Sequence, residues 1–415
     1  MKKCLIFLLI FIFFSCAKKE ETAGDASTQE SSLNLLEDTD IDNSTDIDNS
    51  TNYSTKFFLA VGDKGTAVTS SDNGSTWIDR LSDGRGTHHS YSGKSVVYGN
   101  GTIVAVGQRI VSSQDNFSAS SQDFISWNDS CVDCSHDVNN LFLYEVIYGN
   151  NTFVAVGDHS HIVSSSDGTS WNDQVPFDHF NSRHYWDVTY GKCSICTRGT
   201  FVVVGVGGVI KTSDNGANWD NQTSGTANDL YSVTFSNDIY VAGGAEGIIL
   251  TSSDGATWVD RGKFGGSIRD ITFLKNTFVA VGDGGGIYTS SDNGTSWDNK
   301  SFSDNSRDLQ AVTHDNNSVL VAVGMEMAIV QSSDNGANWS DRSYIGSDGL
   351  YDVAYGNGVF VAVGYKDKYA GNESTAIFSS SDNGTSWNQS TFPFRESSEE
   401  DGMPRLKEVI YINKE

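Results

Sequence analysis

The strongest constraint on the fold of this chain is a short motif that ends in tryptophan and recurs along the sequence. Its first copy is SDNGSTW, residues 71–77, and successive copies are 39 to 50 residues apart. A period in this range is typical of propellers and solenoids, in which every repeat is one supersecondary unit. The motif tryptophans are Trp77, Trp127, Trp171, Trp219, Trp258, Trp297, Trp339 and Trp387.

The clearest repeat, residues 270–297, indicates four short strands separated by turns. Strands are predicted at 271–273, 277–282, 287–291 and 295–298, with Gly, Asn and Asp between them. Four antiparallel strands per period of about 40 residues are typical of a β-propeller blade. The near-continuous apolar run TFVAVG of the second strand fits a sheet that is covered on both faces. We therefore predict an all-β fold, a β-propeller of four-stranded antiparallel blades.

Eight motifs and eight second strands predict eight blades. Seven blades are the alternative, if the degenerate second unit around Trp127 is not a blade. A first strand precedes seven of the second strands, but the first blade lacks one. The C-terminal stretch 406–412 reads as a first strand with no second strand after it. We predict that 406–412 pairs with 56–62 and closes the ring, which removes two open sheet edges.

The acidic residue of each motif is expected to be structural, because an Asp side chain accepts hydrogen bonds from backbone N–H groups two or three residues on. Gly supplies the positive φ of the turn, and Trp covers it. Copies ending at Trp77, Trp219, Trp297, Trp339 and Trp387 have an Asp-Asn-Gly form, whereas those at Trp171 and Trp258 are one residue shorter. The predicted structural residues are Asp72, Asp123, Asp167, Asp214, Asp254, Asp292, Asp334 and Asp382. No catalytic residue is assigned.

The motif resembles the Asp-box, or BNR, repeat of sialidase-like, sortilin-like and photosystem-assembly propellers and of some glycoside hydrolases. The resemblance covers residues 56–415 and indicates fold more strongly than function. Sialidases of this kind carry an Arg-Ile-Pro signature and an arginine triad, and neither can be assigned in this sequence. A non-catalytic scaffold for a protein or glycan partner is the favoured function. A glycoside hydrolase with paired carboxylates at the channel mouth is the alternative.

The N-terminus indicates export. Residues 1–16 combine two lysines with a ten-residue apolar run that is too short to span a bilayer. The run ends in Ser15-Cys16, which resembles a bacterial lipobox, although Phe13 replaces the usual Leu. We predict lipidation of Cys16 and a location in the bacterial cell envelope; a plain signal peptide is the alternative. Residues 17–55 are acidic and poor in apolar groups, which predicts a disordered tether.

The net charge of the chain makes nucleic acid an unfavourable partner. The formal net charge is −26, which disfavours nucleic acid because phosphate binding needs clustered Lys and Arg. No cofactor or metal is expected, the lipid anchor is the only expected membrane contact, and the chain is expected to be monomeric. Which ligand is bound, and at which membrane, does not follow from the sequence.

Candidate binding residues lie where fourth-to-first connections enter the first strands, since long loops on a rigid scaffold often hold function. Four arginines and several acids occur there, together with the one tryptophan outside the motifs. An anion or sugar-acid site and a ring of salt bridges between blades are the two interpretations, the second being favoured. The residues are Arg183, Trp186, Arg269, Arg307, Arg405, Asp187, Asp270 and Asp352, with Glu145 and Glu408 beside them.

Two Cys-x-x-Cys pairs remain, Cys131 with Cys134 and Cys193 with Cys196. They fall in connections on opposite faces, which argues against a shared zinc site. Two local disulfides are predicted, because an exported chain favours oxidation. Seven histidines lie in loops of the first three blades and are interpreted as solvated: His88, His89, His136, His159, His161, His179 and His184.

Overall fold

The computed structural model describes residues 56–80, 91–109, 116–121, 128–131, 142–175, 183–301, 307–344, 349–366, 374–390 and 404–413. All of them belong to one compact unit, residues 53–415. Within these ranges the chain forms thirty-two β-strands and five short 3-10 turns. No helix in this part is long and apolar enough to cross a bilayer.

Each blade contributes four strands. The first strands are β4 (Tyr91–Gly99), β8 (Leu143–Gly149), β12 (Tyr185–Gly191), β16 (Leu230–Ser236), β20 (Ile268–Leu274), β24 (Leu309–His314), β28 (Gly349–Gly356) and β32 (Leu406–Asn413). The second strands are β1 (Lys56–Gly62), β5 (Thr102–Arg109), β9 (Thr152–Gly157), β13 (Thr200–Gly205), β17 (Ile239–Gly244), β21 (Thr277–Gly282), β25 (Leu320–Gly324) and β29 (Val359–Lys366).

The outer half of each blade is shorter. The third strands are β2 (Thr66–Ser70), β6 (Asn116–Ser121), β10 (Ile162–Ser165), β14 (Ile210–Ser213), β18 (Ile248–Ser252), β22 (Gly286–Ser290), β26 (Ala328–Ser332) and β30 (Ser374–Ser380). The fourth strands are β3 (Ile78–Asp79), β7 (Asn128–Cys131), β11 (Asn172–Val175), β15 (Asp220–Gln222), β19 (Val259–Lys263), β23 (Asp298–Asn299), β27 (Ser340–Asp341) and β31 (Asn388–Gln389). In five blades a 3-10 turn joins the second strand to the third: Asp63–Gly65, Asp158–Ser160, Val206–Gly208, Ala245–Gly247 and Asp283–Gly285.

The blades close into a ring, which confirms the predicted all-β propeller of four-stranded antiparallel blades. The strands of each sheet lie side by side from first to fourth. First strands of successive blades contact one another in a closed cycle, so they are the innermost strands. The predictions of eight and of seven blades differ in whether the second unit, β4 to β7, is a blade. Its four strands are hydrogen-bonded to one another in order. With that sheet the cycle contains eight four-stranded sheets.

The hydrophobic core lies between neighbouring blades, and the apolar second strands form its centre. In β13 the four residues 201–204 are fully buried. Val202 and Val204 of this strand pack against Leu230 and Ala242 of the next blade. Because each sheet has a neighbour on both faces, a continuous apolar strand is required instead of an alternating one. The prediction drawn from the TFVAVG pattern is confirmed.

The C-terminal strand closes the ring as predicted. β32 pairs antiparallel with β1 along its whole length, for example Phe57 opposite Ile412. Tyr411 packs on the ring of Phe58, with centroids 5.1 Å apart. Its ring also lies against Gly356 of the preceding blade, where an added Cβ would be 1.9 Å from Tyr411 Cγ. The C-terminus is therefore built into two blades at once.

Seven of the turns that end in a motif Trp, which we call box turns, lie in the described part, and each is held by its own hydrogen bonds. In the first, Asp72 Oδ1 accepts from the N–H of Thr76 at 2.9 Å, and the indole N–H of Trp77 donates to Gly74 O at 3.0 Å. In the shorter turn, Asp167 accepts from two N–H groups, those of Thr169 and Ser170. A backbone N–H group of the same turn donates to the side chain of six of the predicted residues: Asp72, Asp167, Asp254, Asp292, Asp334 and Asp382. Asp123 lies outside the described residues.

The prediction for Asp214 is wrong, because Asn215 holds this turn. Asn215 Oδ1 accepts from the N–H groups of residues 217 and 218 at 2.9 and 3.0 Å. Ser213 occupies the strand position that Ser70 has in the first blade, since both pair with the Phe of the second strand. The turn is therefore one residue shorter than the Asp-Asn-Gly sequence of its motif indicates. Asp214 is left to pair with Arg198 on the surface.

This difference gives a stability prediction. Asn215→Ala removes the acceptor of two backbone N–H groups, so we expect a loss of about 1–2 kcal/mol in the free energy of unfolding. Asp214→Ala removes only an exposed ion pair, so a change below about 0.5 kcal/mol is expected. Urea denaturation of both variants measures the two effects. Equal losses would show that the assignment of Asn215 is incorrect.

Candidate functional site at the channel mouth

The channel has two different faces. Tips of first-to-second hairpins contact the box turn of the next blade, as when Asn357 Nδ2 donates to Asn73 Oδ1 at 2.8 Å. The boxes and these hairpins therefore share one face, which we call the box face. Fourth-to-first and second-to-third connections open on the other, which we call the mouth face. The boxes thus lie away from the mouth, as the sequence predicted.

A backbone irregularity in the first strands shapes the mouth. Pairing with the second strand skips one residue near the start of each first strand, for example between Leu143 and Glu145 of β8. The same shift occurs in β12 between Tyr185 and Asp187. The skipped residue and the residue after it are equivalent in all eight blades. We call the first set rim residues and the second set ring residues.

Ring residues join neighbouring blades. The ring residues are Ser95, Glu145, Asp187, Ser232, Asp270, Ala311, Asp352 and Glu408. Asp187 accepts from its own blade at Val188 N, 2.6 Å, and from the next blade at Val233 N, 2.7 Å. The carboxyls of Asp270, Asp352 and Glu408 also accept from the next blade, at Val312 N, Val409 N and Val96 N. These four carboxyls therefore link neighbouring blades through hydrogen bonds.

The five ring carboxyls resist ionisation. Burial raises the pKa of Asp187 to about 7, that of Asp352 to about 6 and that of Glu408 to about 8, and neighbouring ring carboxyls contribute by repulsion. Burial and the charges of Glu408 and Asp187 also raise the pKa of Glu145 well above its ordinary value. Burial raises the pKa of Asp270 as well. Part of the ring is therefore protonated at neutral pH.

Rim residues, together with Phe142, Tyr365 and Arg405, form two aromatic stacks, each with a cation at both ends. The rim residues are Lys94, Tyr144, Trp186, Tyr231, Arg269, Gln310, Tyr351 and Lys407. In the longer stack, the order is Lys94, Phe142, Tyr144, Trp186, Tyr231 and Arg269, with centroid distances of 4.7 to 6.5 Å. In the shorter stack, the order is Lys407, Tyr351, Tyr365 and Arg405, at 3.8 to 5.5 Å. Together they run along seven of the eight blades.

The candidate arginines are engaged to different degrees. Arg269 makes a two-pronged salt bridge with Asp283 at 2.7 and 2.9 Å while it covers Tyr231. Arg307 lies 3.8 Å from Glu326 and from Asp341. These partners belong to the same blade as the arginine, whereas the sequence predicted salt bridges between blades. Arg183 and Arg405 are exposed at the mouth.

Sequence reasoning missed a hydrogen-bonded cluster beside the longer stack. Asp158, which is buried, accepts from Tyr144 Oη at 2.6 Å and contacts His184 Nδ1 at 2.6 Å. His184 in turn lies against Trp186, with ring centroids 5.4 Å apart. The signal in the sequence was the Asp directly after the Gly that ends a second strand. The same position holds Asp63 and Asp283, which bind Ser92 and Arg269.

Of the remaining predicted features, the structure describes one of the two disulfides. Cys193 and Cys196 form the predicted disulfide in a box-face hairpin. The side chains of Cys131 and Cys134 lie outside the described part, as do His88, His89, His136 and His179. In the ranges that are described, no group of three or more His, Cys, Asp or Glu side chains is arranged to hold a metal ion.

Comparison with known proteins identifies the fold. No protein-family model matches the chain, and no curated protein matches it. The computationally designed protein Ika8 is 13% identical, with a TM-score of 0.52, over 77% of this chain and 96% of that one. A GH74 enzyme of Niastella koreensis is 12% identical, with a TM-score of 0.50, over 81% of this chain and 71% of that one. YCF48 of Cyanidioschyzon merolae is 15% identical, with a TM-score of 0.48, over 66% and 92%. At these identities the likeness establishes a β-propeller fold and nothing finer.

Proposed function

We propose that this chain is a non-catalytic binding scaffold that holds a protein or glycan partner against the rim of the channel mouth. The observation that supports it best is the row of half-buried rings Tyr144, Trp186 and Tyr231 on three consecutive blades. Rigid aromatic side chains supply a large contact area at a small cost in conformational entropy. Such a row is therefore suited to a flat or extended partner.

Trp186 is the centre of this row and has an unused donor. Among the described residues, its buried indole N–H has no hydrogen-bond partner. Buried Trp N–H groups usually have a partner, and an unmade bond costs free energy. A carbonyl or hydroxyl oxygen of the partner would reach this N–H only if the side chains that cover it move on binding. The ring carboxyls next to it are already bound to backbone N–H groups, which favours a structural role for them over catalysis.

Replacing Trp186 tests this proposal. We expect Trp186→Ala to weaken partner binding on the order of tenfold or more, since central aromatic anchors dominate binding energy. Full-length protein is screened on glycan and peptide arrays, and affinities of hits are measured by calorimetry. The matched control is Ile195→Ala, which removes a side chain that is 93% exposed on the box face. Equal binding by wild type and Trp186→Ala would refute the rim as the binding site.

A glycoside hydrolase is the second candidate, and the pKa values of the ring favour it. Proton donors of such enzymes have raised pKa values, as Asp187 and Glu408 do. A panel of fluorogenic glycosides tests it. Turnover that Asp187→Asn or Glu408→Gln abolishes would replace the scaffold proposal with this one. No turnover by the wild-type protein on the panel is the result expected of a scaffold.

We further propose that the chain is exported and lipidated at Cys16 in a bacterial cell envelope. The support is the sequence alone: the short apolar run that ends in Ser15-Cys16. One acyl chain binds a membrane weakly, so stable anchoring needs the several chains of a lipoprotein. Mass spectrometry of the mature N-terminus tests it. Cleavage elsewhere, or an unmodified Cys16, would leave a plain signal peptide.

A further inference from the structure

The two rim stacks end beside each other on cations. Lys94 of β4 and Lys407 of β32 are rim residues of adjacent first strands, and these strands are joined close by, where Val96 N donates to Glu408. Lys407 Nζ lies 3.8 Å above the ring of Tyr351, and Lys94 Nζ lies 5.6 Å from the ring centre of Phe142. Both ammonium groups are therefore positioned by an aromatic ring as well as by a strand.

Within the described residues, Asp63 is the negative charge that acts most strongly on Lys407. Among the described residues, neither Lys94 nor Lys407 has a carboxylate within 4 Å. Arg405 adds a third positive charge, and Asp63 is the acidic side chain that faces Lys407 from the neighbouring 3-10 turn. Glu408 lies next to Lys407 in the chain, but its raised pKa keeps much of it neutral at pH 7.

Like charges normally move apart on the surface of a protein, and here the surrounding contacts hold them together. Arg405 covers Tyr365, and Tyr365 stacks on Tyr351, which Lys407 covers from the other side. The local excess of positive charge is unusual in a chain whose formal net charge is −26. The pKa of Lys407 is lowered to about 8, chiefly by burial and also by the charges of Lys94 and Arg405, against the opposing effect of Asp63.

We propose that Lys94, Arg405 and Lys407 form a binding site for an oxyanion, a carboxylate or a phosphate group, at the seam where the C-terminal strand closes the ring. The anion would neutralise the like charges that the stacks hold together. Lysines bind such groups as point charges through rotatable donors, so the site does not require one oxyanion geometry. The proposal does not depend on the partner-binding function, because its test uses inorganic anions and acetate and does not involve Trp186.

A bound anion changes the chemistry of Lys407, and this change can be measured. It stabilises the ammonium form, so it raises the pKa of Lys407. A rise of one unit at pH 8 lowers the unprotonated fraction from about one half to about one tenth, roughly fivefold. Acylation of a lysine requires the unprotonated amine. Full-length protein is labelled with trace N-hydroxysuccinimide acetate at pH 8, and labelling rates are obtained by mass spectrometry.

Three arms are compared at equal ionic strength: sodium chloride, sodium acetate and sodium phosphate. We expect acetate, phosphate or both to slow labelling of Lys407 about fivefold relative to chloride, and the responding arm identifies the oxyanion. Lys211 is the internal control, because burial also lowers its pKa but its charged neighbour is Asp220. Labelling of Lys407 that neither oxyanion changes, or that changes equally at Lys211, overturns the proposal.

Lys94→Met supplies a second test, since Met keeps an unbranched side chain over Phe142 and removes the charge. Without the repelling neighbour, the pKa of Lys407 rises, so its labelling at pH 8 in chloride slows. The response to oxyanion is expected to fall at least severalfold. An unchanged response would also overturn the site, and labelling of Lys211 at the wild-type rate shows that the variant is folded.

Discussion

Removal of residues 406–415 is expected to unfold the propeller at physiological temperature. The deletion removes β32, and with it the buried side chains Leu406, Val409 and Ile412. Each contributes about 2 kcal/mol, roughly 6 kcal/mol in total, against a typical domain stability of about 5–15 kcal/mol. It also exposes the edge of β1 and leaves Val96 N without the carboxyl of Glu408.

Calorimetry of the truncated chain checks this expectation, with loss of the cooperative transition or a fall in Tm above about 10 °C as the predicted outcome. The matched control lacks only residues 414–415, which follow the strand, and should melt like the wild type. A truncated chain with the melting temperature of the wild type would show that the ring does not depend on its C-terminal closure.

Stability is expected to fall as the pH rises from about 5 to 9, which is the second large effect. The ordinary pKa values of Asp and Glu are 3.8 and 4.5, and the folded ring raises those of Asp352, Asp187 and Glu408 to about 6, 7 and 8. A group whose pKa is raised on folding contributes stability that is fully present below its unfolded pKa. That contribution is lost as the pH passes through the folded value.

The carboxylates of the box turns have the opposite effect on the pH dependence of stability, and their effect lies at acid pH. Hydrogen bonds from the Ser296 side chain and backbone lower the pKa of Asp292 to about 2, and backbone N–H groups lower that of Asp167 further. Their contribution is present above about pH 4 and is lost as the pH falls through the folded values. Maximum stability is therefore expected at about pH 4 to 5, with a fall of several degrees in Tm by pH 9.

The triple variant Asp187→Asn, Asp352→Asn, Glu408→Gln tests the origin of the alkaline fall. Its amide oxygens can still accept the N–H groups of Val233, Val409 and Val96, but the side chains no longer ionise. We expect the melting temperature of this variant to fall much less steeply between pH 5 and 9 than that of the wild type, with the remaining dependence due to Glu145 and Asp270. A variant that loses stability with pH as steeply as the wild type would assign the effect to other groups.

The blades were predictable because their signals are local. The short strands, the turn residues between them and the Trp of each box all lie within about 40 residues. One copy is therefore enough to predict the four strands of a blade. Closure by 406–412 followed from counting, because one first strand lacked a second strand and one second strand lacked a first. One prediction among the described boxes was wrong, Asp214 in place of Asn215. The motif gives the order of the residues, but the strand register decides which of them accepts the hydrogen bonds of the turn.

The chemistry of the mouth was much less predictable. Sequence placed Asp187, Asp270 and Asp352 at the mouth, but it could not show that each binds the backbone of the next blade, more than 40 residues away. It singled out Trp186 without the neighbours that make it part of a stack. It passed over Asp158 and Lys407, because a lone Asp or Lys has no distinguishing pattern until its partners are in place.

The four-stranded blades, the closure of the ring by its C-terminal strand and the turns that end in Trp could be derived from the amino-acid sequence alone. They depend on interactions that repeat along the chain, so each copy supports the interpretation of the others. Which side chains share the mouth follows only from the folded ring, since it brings together one residue from every blade. Burial beside like charges then sets the pKa values of the ring carboxyls and of Lys407, and no linear pattern encodes that proximity.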